Sequence, residues 1–267
     1  MEWFVEKYDG SGIMIKVKKK IVEVQSLQKI EIYETENFGK MLVIDGKVQL
    51  TEFDEFIYHE MLVHVPMMIH RDPREVLIIG GGDGGTLREV LKHDVEKVVL
   101  VEIDEKVVEL SKKYLKIDHG AFEDKRLEIV VEDGRDYVNY CKKFDLILVD
   151  STDPVGVSDP LFGKDFFEVA KDKCDILCTQ AQSPLIQRDL FLKIWKFSKV
   201  FGKRKVYLST IPTYPFALWA FVLAGDVDNF YPERFEKIRK KVRHYNLDVH
   251  RSAFSLPGWL RDVLEQR

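Results

Sequence analysis

The sequence has little of what would mark several broad classes of protein. Its three cysteines, Cys141, Cys174 and Cys178, are odd in number and lack paired Cys-x-x-Cys spacing or a second Cys/His pair. That speaks against a zinc site and against a disulfide framework. Three buried thiols are expected, with a Cys174–Cys178 disulfide left open. No apolar run approaches the roughly 20 residues a membrane helix needs, so no membrane partner is expected. The net charge of −4 is too slight to argue for nucleic acid and no obstacle to a cationic ligand. Internal repeats and low-complexity linkers are missing. The opening MEWFVEKYDG has early acids and no long apolar core, and the terminal LEQR carries no lipidation signal. Neither a secretory leader nor a lipid anchor is expected, which leaves the cytoplasm as the expected compartment.

What is present suits a large α/β domain with a smaller companion: 267 residues, of which 45% are hydrophobic. The first sixty residues read as strands. GIMIKVKKKIVEVQS, QKIEIYETE and KMLVIDGKVQLT alternate β-branched and polar residues, and Asp45-Gly46 has the chemistry of a hairpin turn. DEFIYHEMLVHVPMMIH then reads as a helix, and the domain boundary falls inside it or just before it, giving a β-strand domain over 1–60 and a second domain over 61–267. From residue 75 short strands alternate with helices: VLIIG (76–80), KVVLVEI (97–103), LEIVVED (127–133) and DLILVD (145–150), each expected to be buried. This rhythm predicts a doubly wound, Rossmann-like, mostly parallel sheet. KVYLSTIP and LWAFVLAGD read as a closing antiparallel pair.

A sheet of this kind takes its ligand at the carboxyl ends of its strands. Asp83, Glu102, Asp133 and Asp150 all lie at or just past such ends. Gly80, Gly82 and Gly85 satisfy G-x-G-x-x-G between a strand and a helix, and Glu102 follows about twenty residues on, where a carboxylate can take both ribose hydroxyls. An adenosine-type ligand is expected. Asp83 argues against a dinucleotide, because a carboxylate beside a pyrophosphate would be repelled by a few kcal/mol at low effective dielectric. A helix-capping role for Asp83 is the plain rival. Asp133-Gly134 could offer an acceptor to an adenine amine or be a simple turn.

DSTDP (150–154) is sharper. Asp150 and Asp153, three residues apart at a ligand-binding edge, repel unless a cation joins them. Few other oxygen or histidine ligands have convincing spacing, so a protonated amine is expected and no metal. Local capping bonds within such a loop are the alternative.

Taken in order, VQLTEFDEFIYHEM, IIGGGDGGTLREV, VEID, EDGRDYV, DSTDPVG and IPTYP resemble the polyamine aminopropyltransferases, the spermidine synthase family, and the resemblance covers nearly the whole chain. It implies a methyltransferase-type Rossmann-like fold and transfer of the aminopropyl group of decarboxylated S-adenosylmethionine to a primary amine, releasing methylthioadenosine. The sulfonium compound is then a co-substrate, and no cofactor is permanently bound. A putrescine-like acceptor giving spermidine is implied first, with agmatine, cadaverine and spermidine as alternatives. By similarity of motif positions, Gln28, Asp83, Glu102, Asp133 and Gly134 would hold the donor and Asp150 would be the catalytic base. Tyr58 and Tyr214 would orient the attacking nitrogen, with Gln49, His59, Asp83 and Asp153 further lining the amine site. Without the resemblance, Tyr58 and Tyr214 would read as half-buried aromatics, and His59 beside Glu60 as a solvated helix pair.

The chain departs from the family pattern at Val157, often proline, and at Phe216-Ala217, where a Ser-Gly pair is common. These departures bear on the acceptor. An ordinary methyltransferase using intact S-adenosylmethionine would share the fold and Glu102 but leaves Asp83, Asp150 and Asp153 unexplained. A non-catalytic polyamine or adenosine sensor would be signalled by loss of Asp150 or Tyr58, and both are present. A homodimer or homotetramer is expected, with small-molecule partners only.

Overall fold

The computed structural model describes residues 2–8, 10–152 and 161–265. Asp153 and Val157 lie outside the described residues. The chain begins with an antiparallel sheet in sequence order: β1 (Glu2–Tyr8), β2 (Ser11–Gln25), β3 (Lys29–Thr35), β4 (Lys40–Ile44) and β5 (Lys47–Thr51). Asp45 and Gly46 both take positive φ, 49° and 76°, the backbone that lets a two-residue turn follow the twist of its strands. Ile30, Ile32, Leu42, Ile44 and Leu50 form one apolar face, which packs on Val107, Leu110, Leu115 and Ile117 from further along the chain.

Helix α1 (Glu55–Ile69) follows at once, so the expected junction at residue 60 falls inside its second turn. Beyond it come β6 (Glu75–Gly80), α2 (Gly85–Val90), β7 (Lys97–Glu102), α3 (Glu105–Leu110), β8 (Leu127–Val131), α4 (Gly134–Tyr140) and β9 (Phe144–Asp150). A fifth parallel strand, β10 (Cys174–Gln180), precedes α6 (Arg188–Phe197), with α5 (Lys164–Ala170) before it. The antiparallel pair β11 (Arg204–Thr210) and β12 (Leu218–Gly225) then closes the sheet, whose order is β11-β12-β10-β9-β6-β7-β8. Side chains alternate across it. Val76 and Ile78 face the core shared with Met61, Leu62 and Val65 of α1. Leu77 and Ile79 face the opposite core with Phe166, Phe167 and Phe191. Both faces are covered, as a doubly wound sheet requires. The architecture is a Rossmann-like, mostly parallel sheet behind a small N-terminal β sheet.

One expectation about the strands needs correction. LEIVVED is not a buried strand: β8 is the sheet edge, and Ile129 and Val131 are 39% and 52% exposed. A β-branched run fits an edge as readily as a centre. The cysteines are the buried thiols the sequence suggests, and the Cys174–Cys178 pairing left open there is not formed. All three thiols are free and buried, and four residues along one strand separate two Cα atoms by about 13 Å, beyond disulfide reach. Cys178 Sγ instead lies 3.2 Å from the Tyr207 hydroxyl. No helix among the described residues is long and apolar enough to cross a membrane.

Candidate active site

Strand order reverses at β6. Its neighbours are β7 on one side and β9 on the other, with Gly80 opposite Asp150 in register. This is the crevice position of an open α/β sheet, and the chain keeps it narrow. The Gly81 N–H donates to the Asp150 carbonyl at 2.9 Å. Gly80 has φ of 80°, and a Cβ there would lie 2.3 Å from that carbonyl oxygen. The later glycines admit side chains. A Cβ on Gly82 would lie 2.7 Å from Glu102 Oε2, and one on Gly85 only 2.2 Å from the His59 ring. The loop is therefore shaped for the close approach of carboxylates and an imidazole. Its Gly82 N–H donates to Glu102 Oε2 at 3.1 Å, where a phosphate cradle would keep such donors for its ligand.

Asp83 Oδ1 accepts the Gly85 N–H at 2.7 Å, so the local turn-capping role is real. The same oxygen lies 3.3 Å from His59 Nε2. His59 Nδ1 is 2.7 Å from Glu55 Oε2, one helical turn earlier. Burial opposes charge on His59, but Asp83 and Glu55 outweigh it and hold the imidazolium up to a pKa of about 10. Burial likewise works against Asp83, yet His59 and the Gly85 N–H keep its carboxyl below the usual range. Asp150 goes the other way: burial first, then the Asp83 charge, raise it, against His59 and its hydrogen bonds from Thr86 and Tyr58. The two acids are thus pushed apart, one a settled anion and the other a stronger base.

Tyr58 donates its hydroxyl to Asp150 Oδ1 at 2.7 Å and Thr86 donates to Oδ2 at 2.6 Å. Tyr214 donates to the Gln49 carbonyl at 2.6 Å. Both phenol protons are therefore directed at acceptors, and both oxygens present lone pairs suited to ammonium or amine N–H groups. The Tyr58 and Tyr214 rings lie 5.6 Å apart, and Trp219 meets Tyr214 edge-on at 4.6 Å.

Glu102, 6% exposed, is buried at the tip of β7. Burial lifts its carboxyl to about 7, against N–H groups of Asp104 and Gly82 that favour the anion. Asp133 caps α4 by accepting the Arg135 N–H at 2.8 Å, so Asp133-Gly134 is a helix start and not a simple turn. Gly134 carries no Cβ because one would lie 2.2 Å from Ile79 Cγ2. Gln28 lies buried in the loop after β2, where its N–H donates to Asp104 Oδ2 at 3.2 Å.

Most of these residues line one cleft, placed where an open α/β sheet takes a small molecule. It brings together Gln28, Gln49, Tyr58, His59, Asp83, Glu102, Asp133, Gly134, Asp150 and Tyr214. The reading of His59 and Glu60 as a solvated pair does not hold. Both are buried, and Glu60 turns away to accept N–H bonds from Arg243, His244 and Tyr245. Sequence reasoning missed Glu55, Thr86, Gln180 and Trp219. Glu55 was detectable as an acid four residues before His59 on one helix face. Gln180 was detectable as another strand-end residue, its amide donating to the Ser151 carbonyl at 3.2 Å.

His59, Asp83 and Asp150 each place one ligand-type atom within 4.8 Å of the others. Both ring nitrogens of His59 are already paired with carboxylates, Nδ1 with Glu55 and Nε2 with Asp83. A second such trio, His70, Asp145 and Asp175, lies away from the cleft, where Lys143 already pairs with Asp175 at 2.5 Å.

Comparison with known proteins agrees with this geometry. A family model described as the spermine/spermidine synthase domain matches residues 55–253, and one described as the spermidine synthase tetramerisation domain matches residues 2–52. A polyamine aminopropyltransferase of Archaeoglobus fulgidus is 60% identical, with 99% of each chain covered. The crystal structure of a spermidine synthase from Thermotoga maritima is 40% identical with a TM-score of 0.94, over 100% of this chain and 95% of that one. A spermidine synthase in complex with the transition state analogue AdoDATO is also 40% identical, with a TM-score of 0.95 over 100% of this chain and 96% of that one. The chain belongs to the spermine/spermidine synthase family.

Proposed function

We propose that the protein is a transferase that moves the aminopropyl group of decarboxylated S-adenosylmethionine to a primary amine of a putrescine-like acceptor, releasing methylthioadenosine. The observation that carries this reading is the gathering of Asp83, Asp150 and two tyrosines with Glu102 in the lining of one cleft. A donor with a nucleoside at one end and a cationic tail at the other fits that distribution. Glu102 would take the ribose hydroxyls, Gln28 and the Asp133-Gly134 start of α4 would border the base, and Asp83 would meet the donor's ammonium.

The attacking nitrogen must be unprotonated, whereas a free alkylamine has a pKa of about 10. Tyr58 and Tyr214 would accept its N–H bonds and aim its lone pair at the carbon next to sulfur. As the nitrogen–carbon bond forms, the carbon–sulfur bond breaks and its electron pair neutralises the sulfonium. The surplus proton on nitrogen passes to Asp150. Positive charge therefore migrates from sulfur to nitrogen during the step. Carboxylates gathered at the nitrogen end favour the transition state over the ground state, and alignment in the cleft supplies much of the rest. Gln49 and His59 would border the amine; the assignment of Asp153 to it rests on the family resemblance alone.

In this reading residues 1–60 and 61–267 form two units that share the cleft, and the chain assembles as a homodimer or homotetramer in the cytoplasm. Light scattering tests the assembly. The reaction is tested with purified protein, the decarboxylated donor and a panel of putrescine, cadaverine, agmatine and spermidine, with products read by mass. Aminopropylated amine and methylthioadenosine in equal amounts are expected, and no adduct with any amine would refute the reading.

A further inference from the structure

Behind His59 runs a row of buried charges that the proposed chemistry does not use. Arg88 of α2 grips Glu55 with both terminal nitrogens, Nη1 to Oε1 at 3.0 Å and Nη2 to Oε2 at 2.8 Å. Its Nε donates to Glu89 Oε1 at 2.7 Å, and Nη1 also reaches the Ile117 carbonyl at 2.6 Å. Glu89 Oε2 in turn meets His64 Nε2 at 2.9 Å and Lys92 Nζ at 2.5 Å, and His64 Nδ1 meets His93 Nε2 at 2.9 Å. Glu55, His59, His64, Arg88, Glu89 and His93 are all at most 7% exposed. From the cleft inward the charges alternate: Asp83, His59, Glu55, Arg88, Glu89, Lys92.

We propose that Arg88, acting through Glu55, is the positioning residue that keeps His59 a cation against Asp83, and so leaves Asp150 as the group that receives the proton. The geometry supports this directly. A bidentate guanidinium fixes both Glu55 oxygens, so Oε2 stays aimed at His59 Nδ1. Without Arg88, both Glu55 oxygens lose the fork that fixes them, and Oε2 is free to turn away from His59 Nδ1, leaving Asp83 as the one carboxylate in contact with the imidazolium. The groups facing His59 are Glu55 and Tyr58 of α1, Asp83 of the turn after β6 and Asp150 of β9, with Arg88 of α2 behind Glu55. Although burial opposes its charge, His59 first and then Arg88 hold the Glu55 carboxyl down to about 2.

A purely structural role for the row would cost stability without altering the charge on His59. The test therefore reads that charge. Isotope-labelled histidine spectra are recorded against pH for the unaltered protein, Glu55→Gln, Arg88→Met and Arg88→Lys, with His59 assigned by its loss in His59→Asn. In the unaltered protein His59 should stay protonated past pH 9. In Glu55→Gln and Arg88→Met its midpoint should fall by about 2 pH units or more, towards the ordinary histidine range. Arg88→Lys, which keeps the charge but loses the fork, should fall between, and it serves with Glu55→Gln if Arg88→Met does not fold. Alongside, kcat for aminopropyl transfer at neutral pH should drop about tenfold or more in Glu55→Gln, while methylthioadenosine affinity stays within about threefold. A His59 midpoint unchanged in Glu55→Gln, or a neutral His59 at pH 7 in the unaltered protein, would overturn the inference. The assignment of Asp150 rests on the aminopropyl-transfer reading. If no transfer occurs, that reading fails on its own, and the histidine titration still decides the charge on His59.

Discussion

Tyr58 and Asp150, 92 residues apart in the chain, share a hydrogen bond of 2.7 Å in which the phenol donates. It ties the first turns of α1 to the end of β9. It also fixes the direction of the chemistry: Tyr58 is held well above its ordinary pKa, by burial and then by the Asp150 charge. A phenol held neutral and already donating to Asp150 is suited to orienting an amine, and in the proposed reaction the proton goes to Asp150.

If Glu102 holds the nucleoside and Asp150 is the base, as proposed, Asp150→Asn should keep methylthioadenosine binding and lose about 10²–10⁴-fold in kcat, the range for removing a general base. Calorimetry and a single-turnover assay separate the two effects. Normal turnover in the variant would show that the proton goes elsewhere.

Intact S-adenosylmethionine should be a poor donor. Its extra carboxylate would sit by Asp83 in a buried setting, where like charges cost a few kcal/mol, equivalent to about 10²-fold or more in kcat/KM. Comparable rates with the two donors would remove the electrostatic reason for Asp83.

Nucleoside affinity should depend on pH through Glu102. Its carboxyl is raised by burial to about 7, and ribose hydroxyls bind the ionised form. Binding of methylthioadenosine should therefore weaken below pH 7, approaching about tenfold per pH unit, with proton release on binding. The ligand-free protein follows the opposite sense: ionising buried Glu102 costs stability, so this contribution is fully present at low pH and lost as pH rises through about 7. Glu102→Gln should bind weakly with a flat profile, and a flat profile in the unaltered protein would contradict the assignment.

Gly85→Ala should damage the site before it damages the fold. The new Cβ would meet the His59 ring at 2.2 Å, and accommodating it costs about 1–3 kcal/mol of overpacking. Urea melts should show that loss, and His59 should lose its alignment with Asp83, seen as a raised KM for the amine. Unchanged stability and KM would mean that α1 and α2 slide past one another freely.

Much of this was legible in the sequence because the rules involved are local. VLIIG, KVVLVEI and DLILVD announce central strands by composition, and a parallel sheet sends its strand-end residues to one edge, so Asp83, Glu102, Asp133 and Asp150 could be placed together. LEIVVED misled because hydrophobicity does not tell an edge strand from a central one. Contacts that depend on how distant elements pack were out of reach. Arg88 meets Glu55 across 33 residues and Tyr214 meets the Gln49 carbonyl across 165, and no spacing rule links either pair. Thr86 was hidden for the same reason: it is an ordinary helix residue until α2 and β9 converge.

The buried cysteines have a practical consequence. Cys174 and Cys178 have thiols pushed far up by burial, and Cys141 is raised as well; all three are enclosed. Alkylating reagents act on thiolates, so the folded protein should be nearly silent to them. Phe216 is 55% exposed beside Pro215 and Tyr214 of the cleft wall. A single cysteine introduced there would be the one fast-reacting thiol, and a fluorophore attached to it would report ligand arrival without disturbing a native side chain in the cleft.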